Sequence, residues 1–143
     1  MATQVTSTHT YYFSAAHRLH SSQLSDDINR KIFGKCNNPN GHGHNYTVLV
    51  TVDEDVDASS NILWDRKALD RLVQERIVVR FDHKHLNYDR AFSHGLTTTG
   101  ENLARIIWEI LLEEIPDGRL QKVGVIETRD NYFEYIGNLE AAG

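Results

Sequence analysis

His42-Gly-His-Asn-Tyr-Thr-Val-Leu-Val-Thr-Val52 is β-branched and aromatic, with apolar and polar positions alternating, the pattern of a half-buried strand. On a strand His42 and His44 lie two residues apart, so both imidazoles project from the same face within reach of one ion. Gly43 between them keeps the opposite face small. Working back toward the N-terminus, Thr10 to His17 alternates loosely, with Tyr12, Ser14 and Ala16 on one side and Phe13, Ala15 and His17 on the other. This predicts a second strand that pairs with the first as a hairpin and presents His17 with Phe13. Residues 19–40 are polar and turn-rich, closing on Asn37-Asn-Pro-Asn-Gly41, and predict a long loop with one helical turn over Asp26–Phe33. Long loops in compact domains usually carry function.

Beyond the acidic turn Asp53–Asp57, Leu63, Leu69, Leu72, Val73 and Ile77 recur at helical spacing and predict a helix over Asp65–Val78. Thr98, with Glu101 three residues on, reads as a capping box ahead of Leu103, Ile106, Ile107, Ile110 and Leu111, a second helix ending near Pro116. Val123, Val125 and Glu127, then Tyr132–Ile136, predict two closing strands separated by Arg129, Asp130 and Asn131. The order β-β-α-α-β-β predicts an α+β fold: a four-stranded antiparallel sheet with both helices on one face, a single domain over residues 1–143. Its two sheet edges invite association into a larger ring.

Composition narrows the classes. The 143 residues are 40% hydrophobic and 24% charged, ordinary for a globular domain. A formal charge of −5, with 15 Lys and Arg scattered along the chain, gives no electrostatic support for nucleic acid. No apolar run approaches the roughly 18 residues of a membrane span, and the N-terminus has no leader pattern, so a cytoplasmic protein without a membrane partner is expected. A single cysteine excludes an internal disulfide and a Cys-rich knuckle.

Eight histidines exceed what packing needs. A lone histidine is most often a polar surface residue, but His17, His42 and His44 on neighbouring strands match the three-imidazole set of catalytic zinc, with a position left open for substrate or water. Imidazole without sulfur-rich competition favours zinc over copper or iron. Cys36 lies six residues before His42 in a polar loop beside Lys35, where a nearby cation is expected to lower its pKa and let the thiolate act as base or nucleophile. Asp82-His83 ends the first helix and offers a carboxylate to orient an imidazole, although a solvated helix end is the commoner fate of such a pair. Glu127, at the end of an otherwise apolar strand, is a candidate anchor for a guanidine-like ligand edge.

Five blocks then resemble one family, the 6-pyruvoyl-tetrahydropterin synthases of the tunnelling fold: Phe13-Ser-Ala-Ala-His-Arg-Leu19, Phe33-Gly-Lys-Cys-Asn-Asn-Pro-Asn-Gly-His-Gly-His-Asn-Tyr46, Asp82-His-Lys-His-Leu-Asn87, Glu101-Asn-Leu-Ala104 and Glu127-Thr128. The spacing Cys-x5-His-Gly-His is similar to the biopterin-type branch. The resemblance implies that His17, His42 and His44 hold Zn2+, that Cys36, Asp82 and His83 transfer protons, and that Glu127 grips the pterin ring, with Thr99 and Glu101 as further contacts. It implies a homohexamer of two stacked trimers in which Asp82 and His83 serve a neighbouring subunit. The implied reaction converts 7,8-dihydroneopterin triphosphate to 6-pyruvoyl-tetrahydropterin with loss of triphosphate. A 6-carboxytetrahydropterin synthase of queuosine biosynthesis, a related side-chain-cleaving enzyme and a non-catalytic pterin- or metal-binding module are the alternatives. Two departures from the family pattern stand out: Gly100 where a second threonine is common, and Arg66 where a large apolar residue is usual.

Overall fold

β1 (Thr3–His17) and β2 (His42–Val56) pair antiparallel along their whole length, from Thr3 opposite Val56 to His17 opposite His42. This is a computed structural model, describing residues 3–56, 66–115 and 118–137, without the side chains of residues 3–4 and 54–56. The alternation read from the sequence sets the two faces. Phe13, Ala15, His17, Tyr46, Val48, Val50 and Val52 are buried, whereas Tyr12 is 70% exposed. Burying aliphatic and aromatic side chains on one face fixes the register, because a one-residue slip would turn all of them outward.

The sheet has five strands, not four, in the order β3-β1-β2-β4-β5. β4 (Leu120–Thr128) lies antiparallel on β2, and β5 (Asn131–Tyr135) antiparallel on β4. The unforeseen β3 (Lys84–His85) pairs parallel with Ala15 and Ala16, so the sheet is mixed. Two residues, one of them a lysine, are too few to show a period of two. The segment between β1 and β2 is also more ordered than a loop. It contains α1 (Asp26–Phe33), capped by the Ser25 hydroxyl accepting the Ile28 N–H, and a tight turn over Gly34–Asn37.

The first predicted helix is α2 (Arg66–Val73), continuing through a wider turn at Gln74–Val78 into α3 (Val79–Phe81). Leu69, Val73, Ile77 and Phe81 are buried at intervals of four. Each such interval overshoots a 3.6-residue turn by about 0.4 residue, and the i→i+5 segment absorbs the excess, keeping all four side chains on the sheet. Arg66 is exposed, so it disturbs no packing. Leu63, Asp65 and the predicted stop at Pro116 lie outside the described residues, as does the end of the turn at Asp57. The second helix, α4 (Gly100–Leu112), is capped by Thr99, whose hydroxyl accepts the Asn102 N–H, and not by Thr98. With three consecutive threonines, sequence could not choose the cap.

Arg80 donates twice to the Asp89 carboxylate, Nε to Oδ2 at 2.9 Å and Nη2 to Oδ1 at 2.7 Å, with both side chains mostly buried. The pair ties α3 to the segment that follows β3. The Arg80 hydrogen bonds hold the Asp89 carboxyl below the usual carboxylate range. A depressed folded-state pKa adds stability above the unfolded value of about 3.9, lost as pH falls through the folded one. Asp89→Asn is therefore expected to lower the urea unfolding free energy by ~1.5–3 kcal/mol at pH 7, and the gap from the parent should close below pH ~4. A gap of the same size at pH 3 would count against an ionic origin.

Candidate metal centre

The strand ends bring two imidazoles together. His17 closes β1 and His44 stands across from Ala15 on β2, and their Nε2 atoms are 3.0 Å apart. His17 is fully buried, and its Nδ1 lies 2.8 Å from the Thr98 carbonyl. A carbonyl only accepts, so Nδ1 carries the proton and Nε2 presents its lone pair, the arrangement that orients metal-ligating histidines. Two imidazoles each ~2.0–2.1 Å from a tetrahedral zinc would hold their nitrogens roughly 3.3 Å apart, close to this separation.

Cys36 completes the cluster: its Sγ is 3.8 Å from His44 Nε2, and the ligand atoms of His17, Cys36 and His44 all lie within 4.8 Å of one another. The loop is held by hydrogen bonds to the chain leaving β1. The Leu19 N–H donates to the Cys36 carbonyl at 2.7 Å, and Asn37 Nδ2 donates to the Leu19 carbonyl at 2.7 Å. Gly41 permits the last turn before β2, because its φ is +89° and a Cβ there would sit 2.7 Å from His85 Nε2.

Burial, then the neighbouring histidines, pushes His44 down to about 4, and burial is also the main cause that lowers His17. Both rings are therefore neutral near pH 7, the state in which imidazole binds metal. Glu127 Oε1 approaches within 3.2 Å of His17 Nε2 and 3.4 Å of His44 Nε2, yet it is buried without a hydrogen-bond partner. The lone pair of His17 Nε2 and the orphaned Glu127 oxygen face one point, with His44 Nε2 and a thiol beside them, and such a set of buried electron-pair donors is suited to a cation. The donor set fits a divalent metal of the zinc kind. The expected lowering of the Cys36 pKa does not appear in the protein chain alone: burial, and then the Glu127 carboxylate, push the thiol up. Lys35 is exposed, where solvent screens its charge, so a thiolate here needs the charge of a bound cation.

The other predicted residues are distributed around this cluster. His42 shares its face, with its ring centroid 4.8 Å from that of His44, but stands outside the group that His17, Cys36 and His44 form. Asp82 and His83 form a pair at 2.9 Å on the surface, with the His83 side chain 83% exposed. Asp82 Oδ1 also accepts the Ser14 N–H at 2.9 Å and the His83 N–H donates to the Ser14 carbonyl at 2.6 Å, which fastens this segment to the edge of β1. His83 takes a left-handed φ of 58°, a strained conformation for a non-glycine residue and one that aims its ring outward. A cavity of about 490 Å³ is lined by His44 on one side and His83, Lys84 and His85 on the other. Thr99 uses its hydroxyl as the α4 cap, and Glu101 is exposed; burial first, and then the Glu101 charge, push the Glu127 carboxyl up.

Two supports had no sequence signal of their own. Thr98 supplies the carbonyl that orients His17, a backbone role any residue type could fill. Asn87 accepts the Arg18 N–H and donates to the Arg18 carbonyl, both at 2.8 Å, and so acts as a strand partner for the chain leaving β1. Gly100, the first departure from the family pattern, has a physical cause: a Cβ there would overlap the Phe133 ring, whose Cγ would be 3.2 Å away. Gly100→Ala is expected to cost ~1–3 kcal/mol of stability through overpacking. Adding Phe133→Val should restore most of it in thermal melts, and a double variant no better than the single one would contradict the packing explanation.

An α+β domain whose sheet ends in a partly buried imidazole-thiol cluster suited to a divalent metal is thereby defined. The model of the 6-pyruvoyl tetrahydropterin synthase family matches residues 6–138. The human 6-pyruvoyl tetrahydrobiopterin synthase is 46% identical over 125 residues, covering 87% of this chain and 86% of its own, and the Drosophila melanogaster protein of the same name is 43% identical, covering 87% and 75%. The structure of Caenorhabditis elegans 6-pyruvoyl tetrahydropterin synthase superposes with a TM-score of 0.85 at 39% identity, covering 95% of this chain and 97% of that one. The chain belongs to the 6-pyruvoyl tetrahydropterin synthase family.

Proposed function

We propose that the protein is a lyase of tetrahydrobiopterin biosynthesis that converts 7,8-dihydroneopterin triphosphate to 6-pyruvoyl-tetrahydropterin and triphosphate. The carrying observation is the pair of neutral imidazoles 3.0 Å apart, with Glu127 and Cys36 beside them, in a chain of this family. Zn2+ is the metal, held by His17 and His44 with His42 turning in from the same face. When bound, it would supply positive charge beside the substrate's side-chain oxygens and so acidify the neighbouring C–H bonds. The reaction loses triphosphate and relocates hydrogens within the substrate, so it needs no external electron carrier.

Cys36 takes a proton from the side chain, and His83, oriented by Asp82, passes protons to and from it. Glu127 reads the 2-amino and N3 edge of the pterin by paired hydrogen bonds, with Thr99 and Glu101 at the same helix start. Because the His83 side chain is exposed on the sheet edge and Cys36 is half-buried in the metal cluster, His83 acts on the centre of an adjoining copy. This reading includes a hexamer of two trimers closed through the sheet edges. Residues 1–143 form one catalytic domain in this reading, supported by the single hydrophobic cluster that joins sheet and helices among the described residues. Among those residues no helix is long and apolar enough to cross a membrane, and the location proposed is the cytoplasm.

Incubating the purified protein with 7,8-dihydroneopterin triphosphate and weighing the product tests the proposal. A pyruvoyl pterin is expected. Loss of acetaldehyde to give a 6-carboxy product, or release of a hydroxymethyl pterin, would assign one of the side-chain-cleaving reactions instead.

A further inference from the structure

Tyr46 has no part in the chemistry described so far, yet it stands against the metal centre. Its ring is 1% exposed, stacks on Phe13 at 5.3 Å, and meets the His44 and His17 rings edge-on at 5.7 and 6.4 Å. Its hydroxyl is buried and has no hydrogen-bond partner. Phenylalanine would pack the same way without leaving a polar atom dry, so a hydroxyl here implies a partner in some state of the protein.

The surroundings identify that partner. Thr47 pairs with Ile126 across β2 and β4, and in an antiparallel ladder this sets Tyr46 beside Glu127 on the buried face. Glu127 Oε1 is the other orphan of this centre. One is a donor and the other an acceptor, both are buried, and they are neighbours across two strands. In the ligand-free fold the carboxylate leans on the two imidazoles instead.

We propose that Tyr46 is the positioning residue of the pterin anchor: its phenolic O–H donates a hydrogen bond to the Glu127 carboxylate in the ligand-bound state, holding that carboxylate toward the N–H edge of the pterin. The inference rests on the pterin-binding reading above. It is distinct from a contact with the substrate side chain, which would leave the ring's own affinity untouched.

Binding of two stable, unreactive ligands to Tyr46→Phe separates these roles. Neopterin keeps the trihydroxypropyl chain, and 6-methylpterin keeps only the ring. Fluorescence titration is expected to show both bound about 10-fold more weakly than by the parent, the worth of one hydrogen bond to a charged group. KM for the triphosphate substrate should rise with them while kcat falls less, and metal content should stay at the parent value. In a Glu127→Ala background the Tyr46→Phe change should have no further effect, because the accepting oxygen is already gone. Unchanged affinities, a loss confined to neopterin, or an undiminished loss in the Glu127→Ala background would each overturn the inference. So would a ligand-free Tyr46→Phe protein that melts below the parent, since the hydroxyl would then already have a partner. A parent protein that binds neither pterin would instead overturn the functional reading on which the inference stands.

Discussion

His17→Asn is expected to empty the metal centre and to cut turnover by ~10³-fold, corresponding to a loss of roughly 4 kcal/mol of electrostatic stabilisation. Asparagine is the informative replacement because its amide can still donate to the Thr98 carbonyl, which His17 Nδ1 faces at 2.8 Å. What disappears is Nε2, the atom 3.0 Å from His44 Nε2. A smaller residue such as alanine would also open a cavity at a fully buried site and confound ligand loss with unfolding. Metal content by plasma mass spectrometry and turnover should fall together, with the far-ultraviolet circular dichroism unchanged. Full metal occupancy in a folded His17→Asn protein would remove this residue from the ligand set.

How His17 was legible at all follows from the strand period. Phe13, Ala15 and His17 share a face in the sequence pattern and are all buried in the fold, so the position of the first imidazole was fixed by packing before any chemistry was invoked. The same period placed His42 and His44 together. What the sequence could not convey were interactions carried by the backbone or made by very short elements. β3 has only two residues. The Thr98 carbonyl is independent of residue type. Between Thr98 and Thr99 the cap depends on where the first helical turn starts, and both threonines are compatible with it. Gly100 read as a missing hydroxyl until Phe133, thirty-three positions along the chain, explained why no Cβ fits. Electrostatics failed in a different way. Lys35 next to Cys36 suggested an activated thiol, but proximity in sequence says nothing of burial, and burial together with Glu127 acts in the opposite direction.

Cys36 and His42 therefore compete for one role, and a pair of substitutions decides between them. The donor atoms of His17, Cys36 and His44 lie within 4.8 Å of one another, which would make the thiol a ligand and leave His42 outside. Against this, His42 is paired directly with His17 across the two strands, and its ring is 4.8 Å from that of His44, so a side-chain rotation would be enough to bring it in. Three imidazoles would leave the thiol beside the metal but unbound, free to take a proton, which is what the proposed reaction requires. Cys36→Ala is then expected to keep the metal at the parent stoichiometry while turnover drops by ~10²–10⁴-fold, the usual worth of a positioned general base. His42→Ala should do the reverse in part, losing metal first and activity with it. Should Cys36→Ala lose the metal and His42→Ala keep it, the sulfur is a ligand. The base would then have to be sought at His83 of an adjoining copy, whose exposed ring and left-handed backbone already direct it away from its own chain.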